Sequence, residues 1–377
     1  MTNTVSRPHP SELEVSLFGG DFGESVVMHL GADCWVVVDS CAESGSDEST
    51  PLKYLDSLGI NIKRQVKLVV ITHWHDDHIR GISTVVRECH SATIAMSSAF
   101  RMKDFLEMVD SGSEAAMVTR SGVDEFAAIL GILEQRKGKR RRYNPPKMAL
   151  RDRLLYRQQI ALQSGVADAA VWSLSPSDSA TILAQREFAE KSPKKGHRPG
   201  WIPSGESNHS SVVLWVTIGD NKILLGADME RTGDESTGWS AILGGSGVVD
   251  GKADIFKVPH HGAESGDHPK VWSELLHRDP FAILTAFRNG KVLLPTQDDV
   301  RRINSRTCNA YITATPAPTG IKGPRQRVVR EALKRTTRTL TRAQLPSGHI
   351  RLRRHIDGPT GPWRRELFGN ANPLAHV

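Results

Sequence analysis

At 377 residues, with 38% hydrophobic and 24% charged side chains, the chain has a globular composition and enough length to bury a substantial core. No apolar run approaches the roughly 20 residues that span a bilayer, and four cysteines without a CxxC pair exclude a disulfide framework or zinc knuckle. The formal net charge of +7 points to an acidic partner, and the opening MTNTVSRPHP lacks the apolar stretch of a secretory leader, so cytoplasm is the expected compartment and no membrane partner is expected.

In chain order, short alternating runs predict strands at 13–18, 25–30 and 34–39, separated by glycine-bearing turns. Residues 51–58 read as a helix, and 66–72 (VKLVVIT) as a buried strand that runs straight into His73. A helix at 79–89 and a strand at 90–96 follow. Residues 100–190 read as helical from the apolar spacing of Phe105, Met108, Phe126, Ile129 and Leu133, with a basic break at 136–146 and a further helical stretch at 150–162. The segment 100–199 is therefore expected to be a helical, basic insertion in one domain formed by 1–99 and 200–377.

Strands return at 211–218 and 222–227, joined by the hairpin signal Gly219-Asp220-Asn221, and at 253–258, which ends in Pro259-His260-His261-Gly262. A helix at 271–276, a strand at 281–286, a helix at 296–304 and a strand at 309–313 precede a tail with a basic helix from Pro324 and a strand at 349–355. Strands and helices alternating in two halves predict an α/β (α+β) sheet-on-sheet sandwich flanked by helices.

The positive charge is clustered at 136–142, at 191–198, and over 321–367, where thirteen Lys or Arg face three Asp or Glu. Such blocks either coat a solvated surface or attract polyanions; three of them in one chain favour a nucleic acid partner, with Arg140, Arg141 and Arg142 as candidate phosphate contacts. Tyr143 and Trp201 beside basic segments are either stacking platforms for bases or packing residues. A protein partner is left open.

The segment His73-Trp74-His75-Asp76-Asp77-His78 carries the chemistry. On extended backbone His73 and His75 point to one side and can share a metal, whereas a turn into a helix redirects Asp77 and His78 toward a second. Imidazole and carboxylate suit Zn²⁺ or Mn²⁺. A single imidazole would more often be structural, but three histidines and an aspartate at one strand end have few explanations other than metal.

The run THWHDDHIRGI resembles the HxHxDH motif of the metallo-β-lactamase fold superfamily. Gly23-Glu24-Ser25 with VVMHL, VVVDSC ending near Asp39, Asn208-His209-Ser210-Ser211, Ile223 to Asp228, and Asp254 to Gly262 in the pattern DxxKxxHHG are similar to the hydrolase domain of the ComEC/Rec2 competence proteins and their soluble stand-alone relatives. AILTAFRNG and Pro295 fit the same branch, and the resemblance covers about 13–316 with the insertion unmatched.

That resemblance implies an αββα sandwich holding two divalent metal ions (Zn²⁺ or Mn²⁺). It implies His73 and His75 on the first metal, Asp77 and His78 on the second, Asp228 bridging, and His260 completing the second with His261 as the competing candidate. Many relatives have a histidine near position 208 where this chain has Asn208, which leaves His209 a ligand, a substrate contact or a surface residue. Asp77 is expected to orient the attacking water between the metals, and His261 to protonate the leaving oxygen. The implied function is a metal-dependent phosphodiesterase or nuclease acting on DNA or RNA. The alternatives are a phosphodiesterase of small or cyclic nucleotides, and a non-catalytic nucleic-acid-binding or scaffold protein with a vestigial metal site.

Overall fold

The computed structural model describes residues 6–20, 22–42, 48–101, 122–139, 144–191, 208–316, 347–357 and 361–377. Its strands pair into two large sheets and one small hairpin. The first sheet holds β1 (Glu12–Gly19), β2 (Glu24–His29), β3 (Trp35–Val38), β4 (Val66–Ile71), β5 (Thr93–Ser97), β6 (Lys147–Ala149), β16 (Gly348–His355) and β17 (Arg364–Phe368), in the order β17-β16-β1-β2-β3-β4-β5-β6. The second holds β7 (Arg153–Leu162), β8 (Gly165–Ser173), β9 (Leu214–Ile218), β10 (Asn221–Leu225), β11 (Ala253–Lys257), β12 (Leu276–Leu284), β15 (Ala310–Ile312) and β18 (Asn372–Pro373), in the order β18-β15-β12-β11-β10-β9-β8-β7. β13 (Phe287–Asn289) and β14 (Val292–Leu294) form the hairpin. Within each large sheet a parallel run, β3 to β6 and β10-β11-β12-β15, adjoins antiparallel flanks.

Alternation along these strands builds the layers. Leu68 and Val70 of β4 join Val36, Leu214, Val216, Ile223, Ile255 and Ile283 in the core between the sheets. The intervening Val69 and Ile71 face outward, packing with residues of α1 (Thr50–Ser57), α4 (Ile82–Glu88) and α5 (Gly122–Lys139). Behind the second sheet, Trp215, Leu224 and Phe256 meet Trp239 and Ile242 of α7 (Gly238–Leu243) and Val300 and Ile303 of α8 (Gln297–Asn304). The remaining helices are α2 (Ile62–Gln65), α3 (Asp76–Ile79) and α6 (Asp178–Lys191). The helix read at 79–89 divides at Gly81, where φ is +78°, into α3 and α4. Glu125 of α5 accepts hydrogen bonds from the Gly81 and Ser83 amides (3.0 and 2.9 Å), tying the start of α4 to the long helix.

Two sequence readings are corrected. The stretch 150–162 is not helical: β7 pairs with β8 as a long hairpin, and β6, β7 and β8 extend both sheets from within the 100–199 segment. Only Leu155 and Ile160 of β7 are buried, so this edge strand carries little apolar alternation and its pairing, not its pattern, decides the conformation. Asp357 braces the hairpin tip, accepting from the Gln163 and Ser164 amides at 2.7 and 2.9 Å. The basic break does not begin at Arg136 either, because α5 continues through it and Arg136 donates to the Val86 and Cys89 carbonyls at the end of α4.

Part of the basic tail is also spoken for. Arg353 is buried against Glu14 (2.7 Å), Arg351 donates to Glu366 (2.8 Å), and Arg354 reaches across to Asp254 (2.9 Å). These arginines tie β16 to β1, β17 and β11. Arg140, Arg141, Arg142, Tyr143, the block 192–198, Trp201 and the helix read from Pro324 lie outside the described residues. Among the described residues no helix is long and apolar enough to cross a membrane.

Candidate metal centre

The C-terminal ends of the parallel strands converge on one face, where loops leaving a sheet commonly carry function. β4 delivers His73 and His75, with the buried Trp74 between them packed edge-on against Phe188 (5.8 Å). The chain then enters α3, with His75 as its N-cap, and this turn redirects Asp77 and His78 into the same space. β10 ends in Gly226-Ala227-Asp228. A side chain at Gly226 would lie 2.9 Å from the Lys257 carbonyl, and Ala227 takes φ +43° to aim Asp228 inward. Ser211 accepts a bond from the Asp228 amide (3.1 Å), while its own amide bonds the Asn208 carbonyl (2.9 Å), so the N-x-x-S run braces this loop.

The potential donors fall into three overlapping groups, each with ligand atoms within 4.8 Å of one another: His73, His75 and Asp228; Asp77, His78, Asp228 and His261; and Asp39, His73 and His78. His78 Nε2 lies 3.3 Å from Asp228 Oδ1 and 3.6 Å from Asp77 Oδ2, and His73 Nε2 lies 3.7 Å from Asp228 Oδ2. His261 Nε2 is 3.0 Å from Asp77 Oδ2 and 3.8 Å from Asp228 Oδ2.

Nε2 of His73, His75 and His78 and Oδ1 of Asp228 are buried without a hydrogen-bond partner. Orphaned polar atoms are costly in an interior and here all come from good cation ligands. The residues present fit a divalent cation.

The electrostatics agree. Burial, reinforced by His78, holds His73 well below the usual imidazole range, and burial lowers His75. Burial disfavours charge on His78 too, but Asp228 and Asp77 overcome it and raise its pKa well above normal. Burial likewise pushes Asp77 and Asp228 up, and the surrounding imidazoles, His78 first, pull both below the carboxylate range.

Asp39 fixes the imidazoles of this cluster. Its Oδ1 accepts from the Thr72 amide (2.8 Å) and its Oδ2 from the Thr72 hydroxyl (2.6 Å) and His78 Nδ1 (2.8 Å), and the Thr72 hydroxyl in turn lies 2.8 Å from His73 Nδ1. With Nδ1 of both rings engaged, Nε2 is left as the ligand atom. Burial pushes the Asp39 carboxyl up, opposed by the bonds from His78 and Thr72.

The two histidines after β11 part company. Both have positive φ, +48° for His260 and +52° for His261, and these consecutive left-handed residues send their rings in different directions. His260, expected to complete the second set, turns to Glu230 (3.1 Å) and Ser265 (2.9 Å). His261 faces the cluster with Nε2, 3.0 Å from Asp77 Oδ2, and its Nδ1 meets the Thr285 hydroxyl at 2.7 Å. Asn208 is buried with Oδ1 unpartnered, like the cluster's own donor atoms, and His209 is half-buried on the following turn, outside the three donor groups.

Sequence reasoning gave Thr72, Glu24, Lys257 and Thr285 no role, although all four stand in the stretches THWHDDHIRGI, GES, DxxKxxHHG and AILTAFRNG. At the rim, Phe287 of the β13–β14 hairpin stacks on His261 (4.9 Å) and lies 5.6 Å from Phe22, over which Arg80 sits at 5.8 Å.

Two sheets back to back, helices outside, and a His/Asp cluster at the strand ends define a metal-dependent hydrolase fold. The chain belongs to the metallo-β-lactamase superfamily, whose family profile matches residues 19–270. Similar solved structures include the metallo-β-lactamase fold protein YhfI from Bacillus subtilis, 12% identical over 81% of this chain and 97% of that one, with a TM-score of 0.35. A metallo-β-lactamase with a HARLDQ motif from Cronobacter sakazakii is 16% identical over 63% of this chain and 64% of that one, at a TM-score of 0.28. Zn²⁺-bound PqqB from Methylobacterium extorquens is 11% identical over 54% of each chain, at 0.23. No curated protein matches the chain. The family assignment rests on the profile match.

Proposed function

We propose that the chain is a phosphodiesterase that cleaves nucleic acid with two divalent cations, Zn²⁺ or Mn²⁺, as a soluble stand-alone relative of the ComEC/Rec2 hydrolase domain. The observation that carries this reading is the sharing of Asp228 between one donor set of His73 and His75 and a second of Asp77, His78 and His261. Divalent cations held by these residues would lower the pKa of a bound water and neutralise charge developing on a phosphoryl oxygen.

The chain's own residues do the rest. Asp228 belongs to both donor sets, and Asp77 would bind a cation and orient the attacking water. Phe287, Phe22 and Arg80 line the rim with rings and positive charge suited to a nucleotide. The hairpin bearing Phe287 also carries Arg288 and Lys291, and the net charge of +7 favours a polyanion.

The test offers purified protein with Mn²⁺ or Zn²⁺ plasmid, linear and single-stranded DNA, RNA, cyclic nucleotides and a bis-aryl phosphodiester. Cleavage of the polynucleotides is expected. Turnover of only the small esters would replace this reading with a small-nucleotide phosphodiesterase, and bound cations without any turnover would point to a vestigial site.

A further inference from the structure

A second buried carboxylate, on the strand next to the one that Asp39 follows, also borders the cluster. Glu24, at the start of β2 in the first sheet, is 3% exposed, and its carboxylate meets side chains carried by the second. Its Oε1 pairs with the Lys257 ammonium at the end of β11, itself 1% exposed. Its Oε2 accepts a hydrogen bond from the Thr285 hydroxyl (2.6 Å), just beyond β12. Thr285 Oγ1 is in turn 2.7 Å from His261 Nδ1.

The proton positions follow from the inventory of donors. A carboxylate paired with an ammonium has no proton to give, so the single Thr285 hydroxyl proton points at Glu24. The hydroxyl must then accept from His261, which places a proton on Nδ1 and leaves Nε2, 3.0 Å from Asp77 Oδ2, as the nitrogen a cation would take. Lys257 completes the bracing: its ammonium donates to the Ala227 carbonyl (2.8 Å) and stands 3.8 Å from Asp228 Oδ1. One carboxylate thus reaches both ligands that the second half of the chain contributes.

We infer that Glu24, through Thr285 and Lys257, is a positioning residue that sets the affinity of the second cation by fixing the His261 tautomer and the Asp228 turn. This rests on the two-cation reading above.

The experiment compares Thr285→Ser with Thr285→Ala, which differ only in the hydroxyl. Both start from chelator-stripped protein, and Zn²⁺ is titrated against a chromophoric chelator. Removing such a supporting group costs roughly 10- to 100-fold in metal affinity. The expected result is two Zn²⁺ per chain in the wild type and in Thr285→Ser, and a loss of that order confined to one Zn²⁺ in Thr285→Ala, with the melting temperatures of the stripped proteins alike.

Equal Zn²⁺ binding by Thr285→Ala and wild type would overturn the inference. So would equal weakening in both variants, which would mark a packing effect of the lost methyl. Glu24→Gln, which keeps the shape and loses the ion pair, should weaken the same Zn²⁺; unchanged binding would likewise overturn it. A wild type that binds a single Zn²⁺ would sink the two-cation reading instead, whatever the variants do.

Discussion

Asp39 Oδ2 lies 2.8 Å from His78 Nδ1, with both side chains sealed from solvent. Asp39 takes φ +58°, an uncommon conformation for a residue with a side chain, at the point where β3 ends. Asp39→Ala should therefore cost cation affinity by roughly 10- to 100-fold while leaving the donor atoms themselves in the chain. Metal content after dialysis against a chelator measures this, and retention at the wild-type level would show that the bond to His78 is dispensable.

The paired histidines at 260 and 261 separate cleanly by substitution. His261→Ala should lower the bound cation and reduce turnover by about two orders of magnitude or more, on the scale of losing a transition-state stabilising group. His260→Ala should leave metal content unchanged, because His260 stands outside the three donor groups. Elemental analysis of the two proteins decides it; the reverse pattern would mean the loop repacks on metal binding.

Arginines of the same basic block should behave differently. Arg136→Ala removes donors to two carbonyls at the end of α4 and should destabilise the fold by about 1–3 kcal/mol, seen as a lower denaturation midpoint. Neutralising Arg140, Arg141 and Arg142 together should instead weaken DNA binding and flatten its salt dependence. An unaltered salt slope would remove that segment from the path of the polymer.

Acid stability should depend on histidines remote from the cluster. Burial lowers the pKa of His29 from 6.5 to about 4, against the bond between its Nδ1 and the Glu12 carbonyl. Burial, with Arg351 and Arg353 nearby, holds His349 well below normal. The unfolded chain takes up these protons near pH 6.5 and the folded chain refuses them. Stability is thus intact above pH 6.5, falls as the pH drops below it, and for His29 has lost about 3 kcal/mol once the pH is under 4. His29→Gln should flatten urea-melt midpoints across that window, and an unchanged pH profile would exclude His29 as a source.

Strands such as β4 were legible because a short β-branched run, buried on both faces, has few other fates. The cluster at 73–78 was legible for a similar reason: so many ligand types in six residues carry their own explanation. The β7–β8 hairpin was not, since its stability comes from partners a single strand does not display. Which of His260 and His261 turns inward depends on two left-handed residues, a backbone fact with no side-chain signature. Counting charge could not tell Arg353, buried on Glu14, from an arginine awaiting phosphate. Glu24, Lys257 and Thr285 escaped notice because their meeting is made by three strands drawn from two sheets.

Asp228 follows the last residue of the HxHxDH cluster by 150 positions, and His261 follows later still. During synthesis the nascent chain therefore exposes its imidazoles long before the shared carboxylate emerges from the ribosome. Tight cation capture has to wait until the second sheet docks on the first, so metal loading would report completed assembly of the sandwich and could not precede it.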